Sequence, residues 1–437
     1  MLGKKKFWII GLLLSAFVLT TSFSGIFAKA AEPVKISFWH GETQPVRVQE
    51  FQKLIDRFQN DNPGIKVTQA AYPNANMFPK MMAALSTNTN PEMTFTTPER
   101  TMAFRKMGYG QAVDSLVKKI DQKYKYVSDN PKNMYYFDNH YWSVPVWSIT
   151  VMLYYREDLL KEAGFNGPPS TWNELLGMAK ALTKDGQYGI ALPASSGQNC
   201  TEQVVWSFMS TNRAEVYDKN GKIVFNNPKT VETYRFLNEL SKYSPPDATG
   251  WTWAETKLAF TSGKAAMALL MGSTLLDLEQ QSNFADNVKA VTIPIPQGGR
   301  PGGLTHNEGV MVFTKERAKR AACEKFIEYM FHEKNYGRHL ANMQPGLFLP
   351  ITELNVNSKD YFEQPTMKRF RQIIDAELQQ VKTGTLFGFE YPQRNPYVGE
   401  IGVSFILAET LQRTVSKQLT PEKAVEWGYN KMISLTK

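Results

Sequence analysis

An α/β fold in two lobes is what this sequence predicts, on three observations. The chain has 437 residues, more than one ordinary domain holds. Short β-branched and aromatic runs alternate with stretches of helical periodicity along most of it. Apolar residues make up 42% and charged residues 21%, a balance that builds a core and excludes a disordered, collagen-like or disulfide-stapled chain.

The first 30 residues read as a signal peptide. Lys4, Lys5 and Lys6 form a basic start, 7–19 an apolar stretch, and Ala28-Lys29-Ala30 a small-residue cleavage pattern placing the mature start at Ala31. The apolar stretch is short for a membrane span. After it, 36–39 reads as a strand. Pro45 opens a helix in which Phe51, Leu54, Ile55 and Phe58 fall on one face. Asn62-Pro63-Gly64 stops that helix and 65–67 begins the next strand. Phe78, Met81, Met82 and Leu85 repeat the helical spacing, Asn90-Pro91 breaks it, and 93–95 is a third strand. Asp138-Asn139 predicts a hairpin turn. The run 149–155 reads as one buried strand, followed by a short helix over 156–163 that Gly164 ends. Thr171 and Glu174 predict a capping box. Pro228 opens a further helix, 253–260 is helical, and 265–271 and 288–295 are strands. The glycine- and proline-rich 296–303 reads as a mobile loop. A strand at 310–313 and a helix over 317–331 follow, and from about Thr366 the chain is mostly helical.

Charge and motifs exclude several classes. The net charge of +9 includes four lysines of the leader, and removing them leaves +5, no nucleic-acid signature. The two cysteines, Cys200 and Cys323, form no metal spacing, and no cysteine near residue 31 can carry a lipid. No G-x-S-x-G, H-E-x-x-H, P-loop or dinucleotide glycine pattern occurs, so no cofactor, metal or catalytic residue is expected. His332 and His339, seven apart, read as solvated on one helix face. Paired carboxylates of a secreted glycan hydrolase have no sequence spacing to search for, and that reading stays open.

Five segments then resemble one family in its order along the chain. They are KISFWHGETQPVRVQEFQKLIDRFQNDNPGIKV at 35–67, YWSVPVWSITVMLYYREDLLKEAGFNGPPSTWNELL at 141–176, LAFTSGKAAMALLMGS at 258–273, PGLFLP at 345–350, and Leu419 to Ala424. They resemble the extracellular solute-binding proteins of family 1, which serve ABC importers of carbohydrates. The resemblance implies a periplasmic-binding-protein fold: two α/β lobes, a hinge crossed three times, and the ligand in the interlobe cleft. It places an N-terminal lobe at 31–148 plus 306–350 and a C-terminal lobe at 149–305 plus 351–437. It implies a mono- or oligosaccharide ligand, permease subunits as partners, a monomer, and a free periplasmic location. Glycerol 3-phosphate or one of its diesters is the second ligand reading. Because the two cysteines fall in different lobes, a bridge between them would block opening, and they are expected to stay unpaired.

Sugar recognition calls for aromatic platforms and hydrogen-bonding groups beyond the carboxyl ends of strands. Trp39, His40 and Glu42 sit there after the first strand, and Thr97 and Glu99 after the third. Trp147 lies beside the first crossing. Trp206 and Trp253 are candidate platforms on helices. By resemblance, Ser273, Asn307, Gly346, Arg394 and Tyr397 join the ligand-binding set. Trp172 and Trp427 read as core.

Overall fold

The computed structural model describes residues 32–184 and 186–437, so the expected leader lies outside the described residues. Among the described residues there are eleven strands: β1 (Val34–His40), β2 (Ile65–Ala71), β3 (Met93–Thr96), β4 (Tyr136–Phe137), β5 (His140–Tyr141), β6 (Val144–Thr150), β7 (Met152–Arg156), β8 (Met267–Leu270), β9 (Val288–Val291), β10 (Thr305–Val312) and β11 (Leu349–Pro350). Six form a mixed sheet in the order β11-β6-β10-β3-β1-β2. Strands β1, β2 and β3 run parallel, and β10 enters antiparallel between β3 and β6. A second sheet has the order β8-β7-β9 and is antiparallel throughout. The two sheets define two α/β lobes, called here first and second.

Local chemistry explains the elements that carry the site. Helix Pro45–Asp61 starts with proline at its first turn and buries Phe51, Leu54, Ile55 and Phe58, as the spacing predicts. It leaves β1 at the strand's carboxyl end, so its first turn overlooks the space beyond the sheet. Helix Pro98–Lys106 follows β3 in the same manner, with Thr97 accepting from the Arg100 amide as its cap. Thr171 and Glu174 form the expected capping box on helix Trp172–Ala181. The hairpin β4–β5 turns through Asp138 and Asn139, both with positive φ, the backbone a two-residue turn demands. Helix Arg371–Thr383 packs against β9 of one sheet and against β6 and β11 of the other.

Three expectations are corrected. The run 149–155 is not one strand: β6 belongs to the large sheet and β7 to the small one, and only Val151 separates them. Residues on both sides are buried, so hydrophobicity shows no boundary there. The 296–303 segment is held, not loose. The Arg300 amide donates to the Thr211 carbonyl at 2.9 Å and the Gly303 amide to Ser210 Oγ at 2.6 Å. A Cβ on Gly299 would come within 2.4 Å of the Thr211 carbonyl oxygen, so the glycine permits close packing there. His332 and His339 do not share a helix, since Arg317–Met330 ends before the first and Tyr336–Met343 holds the second. His339 is buried against Phe51, and burial pushes its imidazole down to about 4. Cys200 and Cys323 are free and buried.

Candidate functional site: an interlobe cavity

A cavity of about 880 Å³ lies between the two lobes. That is room for a compact polar solute of one to a few rings. The lobes furnish it differently.

The first lobe supplies most of the charge, together with the Phe348 ring. Glu42 follows β1, Arg47 stands in the first turn of Pro45–Asp61, and Thr97, Glu99 and Arg100 surround the start of Pro98–Lys106. His306 and Glu308 project from alternate positions of β10. A register shift in the β10–β6 pairing lies between Glu308 and Gly309. Bulges of this kind re-aim a side chain and recur beside functional sites. Burial pushes the Glu308 carboxyl up to about 8; Glu42 adds to the rise, and Arg100 and Arg47 oppose it. Burial also lowers the His306 imidazole, so both groups favour their neutral forms near pH 7.

The cavity cations are engaged by protein. Arg47 Nη1 pairs with Glu42 at 2.5 Å, and its Nη2 donates to the Gln344 side chain. Gln344 in turn donates to the Ser273 carbonyl at 3.4 Å, reaching from the first lobe to the second. Arg100 Nη2 donates to the Asn74 carbonyl at 2.9 Å, and Lys257 pairs with Asp277 at 2.6 Å.

The second lobe supplies rings and amides. Asn199, Gln203 and Trp206 come from one face of helix Asn199–Thr211, at the i, i+4, i+7 spacing of one helical stripe. Trp253 opens helix Trp253–Thr261, whose cap is Thr252. Phe387 and Phe405 complete the aromatic wall. The Trp206 indole donates to the Thr385 carbonyl at 3.0 Å, and its ring lies 5.9 Å from that of Phe387. That hydrogen bond fixes the ring plane.

The structure brings six of the expected site residues to this cavity: Glu42, Thr97, Glu99, Trp206, Trp253 and Ser273. It does not bring the other seven. Trp39 packs against Tyr72, with ring centroids 4.9 Å apart. His40 is buried beside Phe51, with Nε2 2.9 Å from Gln69 Oε1. Trp147 is wholly buried between Phe95 and Phe348. Asn307 turns to the opposite face of β10 from Glu308, where its Oδ1 meets Ser148 and its Nδ2 meets Met134. Gly346 is wedged against Gly272 rather than opened to the cavity: a Cβ on Gly272 would come within 2.1 Å of the Gly346 carbonyl oxygen. Arg394 donates to the Asn133 carbonyl at 2.8 Å, and Lys106 lies over the Tyr397 ring at 4.7 Å. These two residues join the lobes beside the cavity. Among the described residues, no cluster of His, Cys, Asp and Glu is placed to hold a metal.

Sequence reading passed over Arg47, Arg100, Gln203, His306, Glu308, Phe387 and Phe405. One signal was available for two of them. His306 and Glu308 are polar residues two apart on a strand, and that period puts both on one face.

Two lobes with a solute-sized cavity between them define a cleft-type binding protein. Residues 43–336 match the family model of the bacterial extracellular solute-binding proteins, and the chain belongs to that family. Its members bind solutes and do not transform them. The chain is 25% identical over 411 residues to the putative ABC transporter periplasmic-binding protein YcjN of Escherichia coli, across 93% of this chain and 94% of that one. It is also 25% identical over 409 residues to the sn-glycerol-3-phosphate-binding periplasmic protein UgpB of Escherichia coli, across 82% and 90% of the two. Among solved structures, the sugar-binding protein MalE of Xanthomonas citri superposes with a TM-score of 0.76 at 18% identity, over 92% of this chain and 97% of that one. At that identity the likeness is one of fold.

Proposed function

We propose that this protein is the substrate-binding component of an ABC importer, capturing a carbohydrate or polyol in the interlobe cleft and delivering it to the membrane permease. The observation that carries this is that one cavity is lined by both rings and carboxyl groups. A sugar presents C–H faces that stack on rings and hydroxyls that hydrogen-bond to carboxyl groups. Trp206, Trp253, Phe387 and Phe405 offer the rings, and Glu42, Glu99 and Glu308 the carboxyl groups.

The same inventory ranks a neutral ligand above glycerol 3-phosphate. A phosphate dianion needs free cations, and Arg47 and Lys257 are each paired with a protein carboxylate, which leaves Arg100, bonded among the described residues to the Asn74 carbonyl alone, to meet it.

Capture follows by rotation of the lobes about the connections at 148–149, 304–306 and 349–352, which divide the mature chain into 31–148 plus 306–350 and 149–305 plus 351–437. The sheet membership of β6, β7, β10 and β11 supports crossings near those points, with the large sheet keeping β6 as far as Thr150 and β10 from Thr305 onward. The protein works as a monomer outside the cytoplasm.

Thermal unfolding against a panel of saccharides, polyols and glycerol phosphates tests the reading. A ligand at a hundredfold excess over its Kd adds about 2.7 kcal/mol of apparent stability. A rise in Tm with a saccharide or polyol supports the proposal. A rise with glycerol 3-phosphate alone installs the second reading, and release of reducing sugar from oligosaccharides would replace both with a hydrolase.

A further inference from the structure

We propose that Glu202, which does not itself reach the cavity, is the positioning residue for Phe405 and thereby for one wall of the binding cleft. The inference rests on the reading that this cavity is the cleft.

Helix Asn199–Thr211 turns one stripe, with Gln203 and Trp206, toward the cavity, and Glu202 points elsewhere. Glu202 is 7% exposed. Its Oε2 accepts a hydrogen bond from the Ala408 amide at 2.8 Å, across 206 residues of sequence. Ala408 belongs to the first turn of helix Ile406–Val415. Amides there have no partner within their own helix. Capping side chains satisfy them elsewhere in this protein, as Thr171, Asn227 and Thr420 do. Helix Ile406–Val415 lacks such a cap: its N-cap residue is Phe405, whose side chain has no hydrogen-bonding atom. The distant carboxyl stands in for it.

The N-cap itself is unusual. Phe405 has φ 52° and ψ 41°, the left-handed region, which a bulky L-residue rarely occupies. Such backbone persists only where its surroundings hold it, and it collects at ligand sites. Phe405 lines the cavity, and its carbonyl accepts the first helical bond, from the Glu409 amide at 3.0 Å. Fixing the start of the helix therefore fixes Phe405. Because Glu202 and Trp206 share a helix, one carboxyl sets the spacing between two rings of the aromatic wall.

The second oxygen of Glu202 has no partner, and burial pushes the carboxyl up to about 8. At neutral pH it is an uncharged acid, so an amide should replace it well. Three substitutions follow: Glu202→Gln keeps the acceptor, Glu202→Asp withdraws it by one methylene, and Glu202→Leu removes it.

Hydrogen exchange on the full mature protein reads the helix start directly. In the Asp and Leu variants, the Leu407 to Glu409 amides should exchange at least tenfold faster than in the wild type. Those of helix Pro421–Ser434, which packs alongside, should change less than threefold. The Gln variant should match the wild type within twofold. Calorimetry with maltose, mannitol and sn-glycerol 3-phosphate as probes reads the consequence. The tightest-binding probe should lose at least tenfold in affinity in the Asp variant and keep it in the Gln variant. In a Phe405→Ala background, Glu202→Asp should have no further effect on affinity. Uniform acceleration of exchange, a Gln variant as impaired as the Asp variant, or an undiminished Glu202→Asp effect without Phe405 would each overturn the proposal. If no probe binds the wild type, the exchange pattern alone decides whether Glu202 positions Phe405, and the ligand panel tests the functional reading separately.

Discussion

Replacing Glu377 by glutamine should make the protein markedly less sensitive to a rise in pH from about 5 to about 8. Glu377 lies on helix Arg371–Thr383 with no exposed surface. One oxygen accepts from the Tyr154 hydroxyl at 3.0 Å, and the other has no partner. Burial pushes the carboxyl from an ordinary 4.5 to about 8. A carboxyl raised on folding holds its proton in the native state and gives it up in the unfolded one. Its contribution to stability is full below about pH 4.5 and is lost as pH rises through 8, at about 1.4 kcal/mol per pH unit. The whole interval corresponds to about 5 kcal/mol. Glutamine preserves the acceptor for Tyr154 and never ionises. Near pH 5 the variant and the wild type should therefore unfold within ~1 kcal/mol of each other, both presenting a neutral group. By pH 9 the variant should be the more stable by several kcal/mol. Paired denaturant titrations at pH 5, 7 and 9 measure the difference and cancel the contribution of every other titrating group. Parallel pH profiles would show that Glu377 is ionised in the native state and would refute the argument.

Trp147→Ala should cost about 3–5 kcal/mol of stability by emptying a site between Phe95 and Phe348, read as a lower Tm; an unchanged Tm would refute the packing role. Gly272→Ala puts a Cβ 2.1 Å from the Gly346 carbonyl oxygen and should cost about 1–3 kcal/mol, read as a lower Tm. Gly64→Ala, where a Cβ meets nothing within 4 Å, is the control, and equal behaviour of the two variants would refute the close approach.

Much of the fold was legible because its elements announce themselves locally. The stripe of Phe51, Leu54, Ile55 and Phe58 needs only helical spacing, and Thr171 with Glu174 needs only capping chemistry. What was not legible depends on partners far away in sequence. Nothing in 149–155 marks where one sheet ends, because Val151 is as buried as its neighbours. The glycines of 296–303 look like slack until helix Asn199–Thr211 lies against them. For the site, the errors are mostly of facing. Asn307 and Glu308 are adjacent, and on a strand adjacency means opposite faces, so choosing one missed the other. Trp39 and Trp147 have the chemistry of platforms, yet they turn to other aromatic rings. Arg47 and Arg100 carry no local signal; they matter only once the first lobe places them beside Glu308.

The large sheet has a consequence for how the protein is made. Strand β10 sits between β3 and β6, which have no ladder with each other. On the ribosome, β1, β2, β3 and β6 are all synthesised well before Thr305 emerges. Until then β3 and β6 each present an open edge, and the strand that joins them does not yet exist. Strand β11 comes later still, at Leu349. The first lobe therefore cannot close its sheet co-translationally from its own N-terminal portion. Contacts this distant in sequence form slowly. For a chain destined to leave the cytoplasm, that delay is useful: an unfinished sheet keeps the polypeptide threadable until most of it has been synthesised.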